Sequence, residues 1–271
     1  MDTPKTPPTK SHGRKTIRPT LKPQELMSHT PDLARVWKAQ VITLMPEAFP
    51  GVLGQSLTGR ALKDGLWQIE TIPLRQFGEG KHRNVDDTPA GGGAGMVLRP
   101  DVMSAAIDYA RARIAPAAPL IYLSPRGKPF TQDMAKSLAA GPGATLICGR
   151  FEGLDQRVID HYKIAEVSIG DYVLSGGDIA AQALIDASIR LLPGVLGNEA
   201  STEEESFSDG LLEHPQYTRP SKWRDMPIPE VLMSGHHGRI AKWRSDMSQE
   251  ITRRRRPDLW ENWSQRHADE D

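Results

Sequence analysis

The sequence predicts an α/β protein with a mainly parallel sheet, followed by a small all-α unit at the C-terminal end. Three observations carry this reading. From Ala39 onward, short apolar runs alternate with segments of helical period, the rhythm of βαβ crossovers. Two of three glycine-dense segments follow apolar runs directly, where strand-to-helix loops belong. After residue 220 the apolar residues recur at helical spacing only.

Residues 1–36 are rich in Pro, Thr, Lys and Arg with little apolar period, which predicts a disordered basic extension. Its six prolines oppose the amphipathic helix of a transit peptide, and Met1–Lys10 offers no apolar core for a secretory signal. Residues 37–196 form the expected α/β domain. Gln40–Leu44, Leu120–Leu123, Ala144–Cys148 and Ala165–Ile169 read as buried strands. Helices are expected over Asp101–Ile114 with an Asp cap, Thr131–Ala139 ended by Gly141-Pro142, Asp155–His161, and Asp178–Leu192 ended by Pro193-Gly194. Ligands of such sheets sit at the carboxyl ends of the strands. Residues 197–220 have few apolar residues and no period, which predicts a mobile linker or lid. Residues 221–271 then give a helical domain. Ile240, Trp243, Met247 and Ile251 mark one face of a helix starting near Ser234, and Pro257-Asp258 opens a last helix.

Composition narrows the function classes. Apolar residues at 38% plus 24 glycines in 271 residues make about 47%, enough for a globular core. One cysteine, Cys148, excludes a disulfide framework or thiolate zinc site and suits a reducing, cytoplasmic compartment. The most apolar long segment, Ile179–Leu196, is interrupted by Asp186, Arg190 and Pro193, so no membrane span is expected. Net charge is zero, yet residues 1–38 and 234–256 each carry a balance of +5, while residues 197–213 hold six acids and no base. Basic surface is therefore concentrated at the two ends.

The glycine-dense segments are Gly91–Gly95, Gly149–Gly153 and Gly170–Gly177. Met96 stands where a dinucleotide fingerprint starting at Gly91 needs its last glycine, and no glycine loop is followed by Gly-Lys-Ser/Thr. A Rossmann dinucleotide site and a P-loop are both disfavoured. With Leu123-Ser124-Pro125, the last two segments would gather at strand ends into one cleft. His236-His237 lacks companion ligands in the sequence and reads as a helix start, not a metal site. Cys148 reads as a small buried residue, not a nucleophile.

Six segments together resemble the bacterial tRNA (guanine-N1)-methyltransferases acting at tRNA position 37. They are Arg83–Asp87 leading into the Gly91 run, Ile121–Pro125, Cys148–Gly153, Ser168–Gly177, Pro193–Gly197 and His214–Pro220. The resemblance runs in order from about Val36 to Trp263. It implies the SPOUT class, with a deep trefoil knot in the parallel α/β sheet and a homodimer sharing active sites across the subunit interface. Chain-path rules alone would never suggest the knot.

The resemblance further implies S-adenosylmethionine as methyl donor, magnesium as an accessory ion, and the tRNA anticodon stem-loop as partner. Cofactor contacts fall on Leu123, Ser124, Pro125, Gly149, Glu152, Gly153, Ile169, Gly170, Asp171, Tyr172, Val173 and Leu174. His82 and Asp86 match positions contacting the guanines at 36 and 37, and Ala94 replaces a frequent proline. Arg190 matches the arginine that polarises guanine O6. Glu205 matches the position of the family's aspartate base, one methylene longer, with Glu204 as the neighbouring alternative. Lys242, Arg244 and Arg253–Arg256 suit phosphate contacts. The expected function is methylation of guanine N1 at tRNA position 37 when a guanine precedes it. A catalytically inactive or retargeted SPOUT-fold RNA-binding protein is the alternative.

Overall fold

The computed structural model describes residues 36–197 and 205–268. Its regular elements, in chain order, are β1 (Trp37–Thr43), α1 (Ser56–Lys63), β2 (Trp67–Pro73), β3 (Asp86–Asp87), β4 (Val97–Leu98), α2 (Pro100–Arg111), β5 (Leu120–Pro129), α3 (Gln132–Ala139), β6 (Gly143–Cys148), α4 (Gln156–Tyr162), β7 (Ala165–Ser168), α5 (Asp178–Ile189), β8 (Lys222–Trp223), β9 (Met226–Pro227), α6 (Glu230–Met233), α7 (His237–Arg255) and α8 (Pro257–Ala268). Five strands form one sheet in the order β2-β1-β6-β5-β7, every neighbouring pair parallel. The expected α/β class with a parallel sheet is therefore present, but the C-terminal unit is not all-α, because β8 and β9 pair antiparallel ahead of its helices. The basic stretch 1–35 lies outside the described residues.

Strand alternation splits the core into two layers. Trp37, Ala39 and Val41 of β1, Ile121 and Leu123 of β5, and Ala144, Leu146 and Cys148 of β6 face one side, against Leu138 of α3 and Leu184, Ile185 and Ile189 of α5. Ile42, Leu120, Tyr122 and Ile147 face the other, against Met103, Ala106 and Ile107 of α2 and Val158 and Ile159 of α4. Each large aliphatic side chain buried in these layers contributes about 2 kcal/mol of transfer free energy.

Several boundaries differ from the sequence expectation for physical reasons. β1 begins at Trp37, three residues before the expected start, because Trp37, Lys38 and Ala39 already pair with β2, and Gln40 inside it is fully buried. Its amide donates to Glu70 Oε2 at 3.0 Å and its carbonyl accepts from Thr145 Oγ1 at 2.9 Å. An apolar-run criterion passes over β2 and α1, whose burial is mixed. In α2, Arg99 takes the cap position and Pro100 follows it, so Asp101 sits in the first turn, not at the cap. That helix ends at Arg111, and α5 ends at Ile189 with Arg190 at its C-cap. Thr131 and Asp155 do cap their helices, accepting from Met134 N and Arg157 N. His236 caps α7 and His237 opens it, as helix-start residues.

β5 outruns its expected four residues. After Leu123 pairs with Val167, the register shifts and Lys128 pairs with Val167 again, so residues 124–127 bow out at the carboxyl end of the sheet. Gly127 makes this possible: an added Cβ would lie 2.3 Å from Val167 N and 2.4 Å from Glu166 C. The bow is one wall of the site described next.

The segment from Glu205 to Glu213 rests on the C-terminal helices. Fully buried Thr252 of α7 accepts from Leu212 N at 2.8 Å, Arg266 of α8 donates to Asp209 O at 3.1 Å, and Leu211 is buried. Ile240, Trp243, Met247 and Ile251 are half-buried, and Tyr217 packs edge-on against Trp243.

Candidate active site

The carboxyl ends of β5, β6 and β7 surround a cavity of about 270 Å³. Of the twelve positions expected around a cofactor, Leu123, Ser124, Pro125, Gly149, Glu152, Gly153, Ile169, Gly170, Tyr172, Val173 and Leu174 line it. Asp171 does not: it is exposed at the turn between Gly170 and Tyr172 and is not part of the lining. Tyr122, Arg126, Arg150, Gly176 and Gly177 also line the cavity and were missing from the expected set. The Gly176-Gly177 pair ahead of a helix was the available sequence signal for the last two.

Steric crowding explains the glycines at two places. A Cβ on Gly149 would lie 2.6 Å from the Tyr122 ring, and one on Gly177 would lie 2.9 Å from Cys148 Cα. Only at these distances can the two loops close on one another, with Gly177 N–H donating to Gly149 O at 2.9 Å. Ser168 braces the third loop, its hydroxyl donating to Gly170 O at 3.0 Å and accepting from Gly170 N–H at 3.2 Å. The result is a slot with apolar walls from Leu123, Ile169 and Leu174 and main chain at its rim. A flat heterocycle with polar edges fits such walls.

A second layer of loops leans on the first. Glu152 N–H donates to Met96 O, and Leu98 N–H donates to Gly153 O, both at 2.9 Å. Glu152 also packs on Gly95, where an added Cβ would meet the carboxylate at 2.3 Å. The glycine-rich segment 91–95 is thereby joined to the cavity. Asp86 lies half-buried in β3 at the foot of this segment, and His82 is exposed in the preceding turn. Neither lines the cavity.

Arg190 and Glu205 face each other across the end of α5. The guanidinium donates through Nη1 to Oε2 at 2.6 Å and through Nη2 to Oε1 at 2.5 Å, a bidentate ion pair with both side chains about three-quarters buried. The guanidinium holds the Glu205 carboxyl below its ordinary value, and the carboxylate raises that of Arg190. Glu205 also borders a larger hollow of about 620 Å³ beneath α7, shared with Asp209, Glu213 and His214. Glu204, the alternative to Glu205, lies outside the described residues.

Beneath the cavity, Asp178 accepts from Thr43 Oγ1 at 2.5 Å, and Arg150 Nε stands 3.6 Å from its other oxygen. Burial, and then the Asp178 charge, push the Cys148 thiol well up, so it is an inert core residue at neutral pH. On α7, Lys242 pairs with Asp246 and Arg256 with Asp258, whereas Arg253, Arg254 and Arg255 are exposed at the helix end. No group of three potential metal ligands occurs among the described residues, and no described helix is long and apolar enough to cross a membrane.

Comparison with known proteins places this geometry. The family described as tRNA (Guanine-1)-methyltransferase TrmD matches residues 37–262. A tRNA (guanine-N(1)-)-methyltransferase of Ruegeria pomeroyi is 69% identical over 235 residues, covering 87% of this chain and 97% of that protein. One from Ruegeria sp. strain TM1040 is 67% identical over 242 residues, covering 89% and 99%. One from Cereibacter sphaeroides is 64% identical over 231 residues, covering 84% and 93%. The match takes in β1 through the first half of α8 and every loop of the site, and the chain belongs to the bacterial tRNA (guanine-N1)-methyltransferase family, a member of the SPOUT class.

Proposed function

We propose that this tRNA (guanine-N1)-methyltransferase acts on guanine 37 of tRNAs with a guanine at position 36, with Glu205 as the base and Arg190 as the group that stabilises charge on O6. The observation that carries this reading is the bidentate Arg190–Glu205 pair. A guanine edge offers a donor at N1 beside an acceptor at O6. A carboxylate next to a guanidinium is its complement, so each nucleobase contact replaces one contact of the resident pair. Adenine offers the reverse pattern, an acceptor at N1 and a donor at the amino group, and leaves both side chains unsatisfied.

N1 of guanine carries a proton, and its lone pair becomes available only as that proton leaves. Glu205, held ionised by Arg190, accepts the proton, while Arg190 donates to O6, where negative charge gathers. As the guanidinium turns toward O6 it withdraws from the carboxylate, and Glu205 becomes more basic at the step that needs it.

The cavity residues suit S-adenosylmethionine. The apolar slot takes adenine, and Glu152 supplies a carboxylate at its edge. When bound, the sulfonium supplies an electrophilic methyl group. Leu123, Ile169 and Leu174 hold the ring, and the rim of Gly149, Gly153 and Gly170 brings main chain close to it. Glu152 is the only carboxylate in the lining, so a magnesium ion would draw its other ligands from the cofactor or the RNA.

A homodimer with shared sites is supported by two features. Among the described residues none lines both the cavity and the hollow that Glu205 borders, which suits a site completed by a second copy. Phe151, Val173 and Ile179 are exposed around the cavity, Val173 by 84%, and a second copy would cover them. The trefoil knot belongs to the same reading, carried by membership of the family. His82 and Asp86 would reach guanines 36 and 37, and Arg253–Arg255 the stem phosphates. The division at residues 36, 196 and 220 belongs to the same reading, as does a cytoplasmic location.

The test is an assay with purified chain, S-adenosylmethionine, magnesium and a tRNA transcript carrying guanines at 36 and 37, read by nucleoside mass mapping. N1-methylguanosine at 37, absent when position 37 is adenine, is the expected result. Product at another nucleoside, or none from a chain that binds both partners, would overturn it.

A further inference from the structure

Arg150 is a cavity-lining cation with unused hydrogen-bonding capacity. Its guanidinium has five N–H donors. Nη2 approaches Met45 Sδ at 2.7 Å, a weak acceptor. Nε stands 3.6 Å from Asp178 Oδ2, beyond hydrogen-bond reach, and is buried with no hydrogen-bond partner among the described residues. Asp178 is already engaged by Thr43 through its other oxygen. The Arg150 stem lies over Gly176, where an added Cβ would touch Cγ and Nε at 3.1 Å, so the glycine leaves the side chain room at the cavity wall.

The other charged groups of the lining are Arg126 and Glu152. Arg126 is mostly exposed and donates to Glu166 Oε1 at 3.1 Å, so it already has an anion. Glu152 lies two residues after Arg150 on the same loop, and Phe151 between them has the left-handed φ of 59°. One cation with unfilled donors and one carboxylate, brought to one cavity by a single tight turn, complement the two charges of an amino-acid zwitterion.

We propose that Arg150 binds the α-carboxylate of the cofactor's methionine arm, opposite Glu152 on the ammonium, and so selects a cofactor with an intact amino-acid end. This rests on the cavity being the S-adenosylmethionine site. The guanidinium leans toward Asp178, and a cofactor carboxylate would supply the acceptors that Asp178 holds at too great a distance. Arg150 would be a specificity-determining contact of the cofactor, and methylthioadenosine, which lacks the whole amino-acid arm, would be indifferent to it.

The experiment measures calorimetric affinities of the full-length protein for S-adenosylmethionine, decarboxylated S-adenosylmethionine and methylthioadenosine, in wild type, Arg150→Gln and Arg126→Gln. Wild type should favour the carboxylate-bearing cofactor over its decarboxylated analogue by on the order of 10- to 100-fold. Arg150→Gln should erase that preference while binding methylthioadenosine as wild type does, and Arg126→Gln should keep it. Persistence of the preference in Arg150→Gln, or its loss in Arg126→Gln alone, overturns the proposal. Equal weakening of all three ligands in Arg150→Gln gives the residue a structural role and also overturns it. Wild type that binds none of the three, though folded, sinks the cofactor assignment of the cavity itself.

Discussion

Arg190 grips Glu205 with both terminal nitrogens, at 2.6 and 2.5 Å, and in doing so joins the C-cap of α5 to the segment that rests on the C-terminal helices. Two groups with opposite tasks in the proposed reaction therefore neutralise each other in the free chain. Planar bidentate geometry fixes their mutual orientation, so a guanine edge meets acceptor and donor already side by side.

Glu205→Gln keeps the size and one acceptor of the side chain but cannot take a proton. Methyl transfer is expected to fall by about 10²- to 10⁴-fold, the usual worth of a positioned base. Cofactor affinity should stay at the wild-type level, since Glu205 does not line the cavity. Single-turnover rates with calorimetric cofactor binding check both halves. A wild-type rate in Glu205→Gln would move the role to another carboxylate, Glu204 first.

Arg190→Lys retains the charge and loses the fork. A lysine makes one contact where two exist now, so the preorganised partner for O6 is gone. The rate at saturating tRNA is expected to drop by about 10²- to 10³-fold, the cost of removing a donor to a developing oxyanion. The Glu205 carboxyl should titrate closer to its ordinary value, because the hydrogen bonds from Arg190 are what lower it. Rate measurements with labelled-carboxyl NMR check the two effects; an unaltered rate would leave Arg190 a purely structural cap.

How much of this was legible in the sequence depended on whether a residue's role is local. Ala165–Ile169, expected to be buried, gives an edge strand with Ala165 exposed and Glu166 half-buried. Leu120–Leu123 and Ala144–Cys148 announced themselves, because a strand covered on both faces is continuously apolar. β2 did not, since it lies at the sheet edge with mixed burial. The glycine loops stood out, and the family, enzyme class and tRNA substrate inferred from their order agree with the comparisons. Arg150 and Tyr122 stood inside the segments singled out but were given no cofactor contact, because their places depend on Asp178 and Gly149, reached only through the crossovers. The return of β5 to Val167 is equally a tertiary fact: no local period records a strand that pairs with the same residue twice.

Cys148 is expected to resist alkylation in the folded protein. It is 2% exposed, and burial together with the nearby Asp178 charge raises its thiol well above the ordinary range. Iodoacetamide at pH 8 should label it only after denaturation, as read by intact-mass spectrometry. Rapid labelling of the native protein would mean that the β6 end opens readily.

Gly127→Ala is expected to be more damaging than its size suggests. The added methyl would sit 2.3 Å from Val167 N and 2.6 Å from Val167 C, and the obstacle is backbone, which cannot rotate aside. The bow of residues 124–127 must then lift from β7, costing about 1–3 kcal/mol for an overpacked contact. Ser124 and Pro125 would move with it, so cofactor affinity should fall together with stability. Denaturant melts and cofactor titrations of the variant test this. Gly197→Ala, where an added Cβ meets none of the described residues, is the control, compared with Gly80→Ala, where it meets none of them either but φ is +72°. Equal stability of Gly127→Ala and Gly197→Ala would show that β5 does not return to β7 at this point.

The ion pair sets a pH dependence with a definite sign. Glu205 titrates lower in the folded chain than its unfolded value of about 4.3, so the pair contributes its stability above that value. The contribution declines as pH falls toward the depressed folded value and is gone below it. For a pair about three-quarters buried it amounts to about 1 kcal/mol. Wild type should therefore exceed Glu205→Gln by a constant margin from pH 8 down to about 5, and the two should converge as pH falls further through the depressed folded value. Urea melts across this range provide the check, and adding 1 M salt should narrow the neutral-pH margin by screening the pair. A margin that grew on acidification would mean that protonated Glu205 is the form the fold prefers.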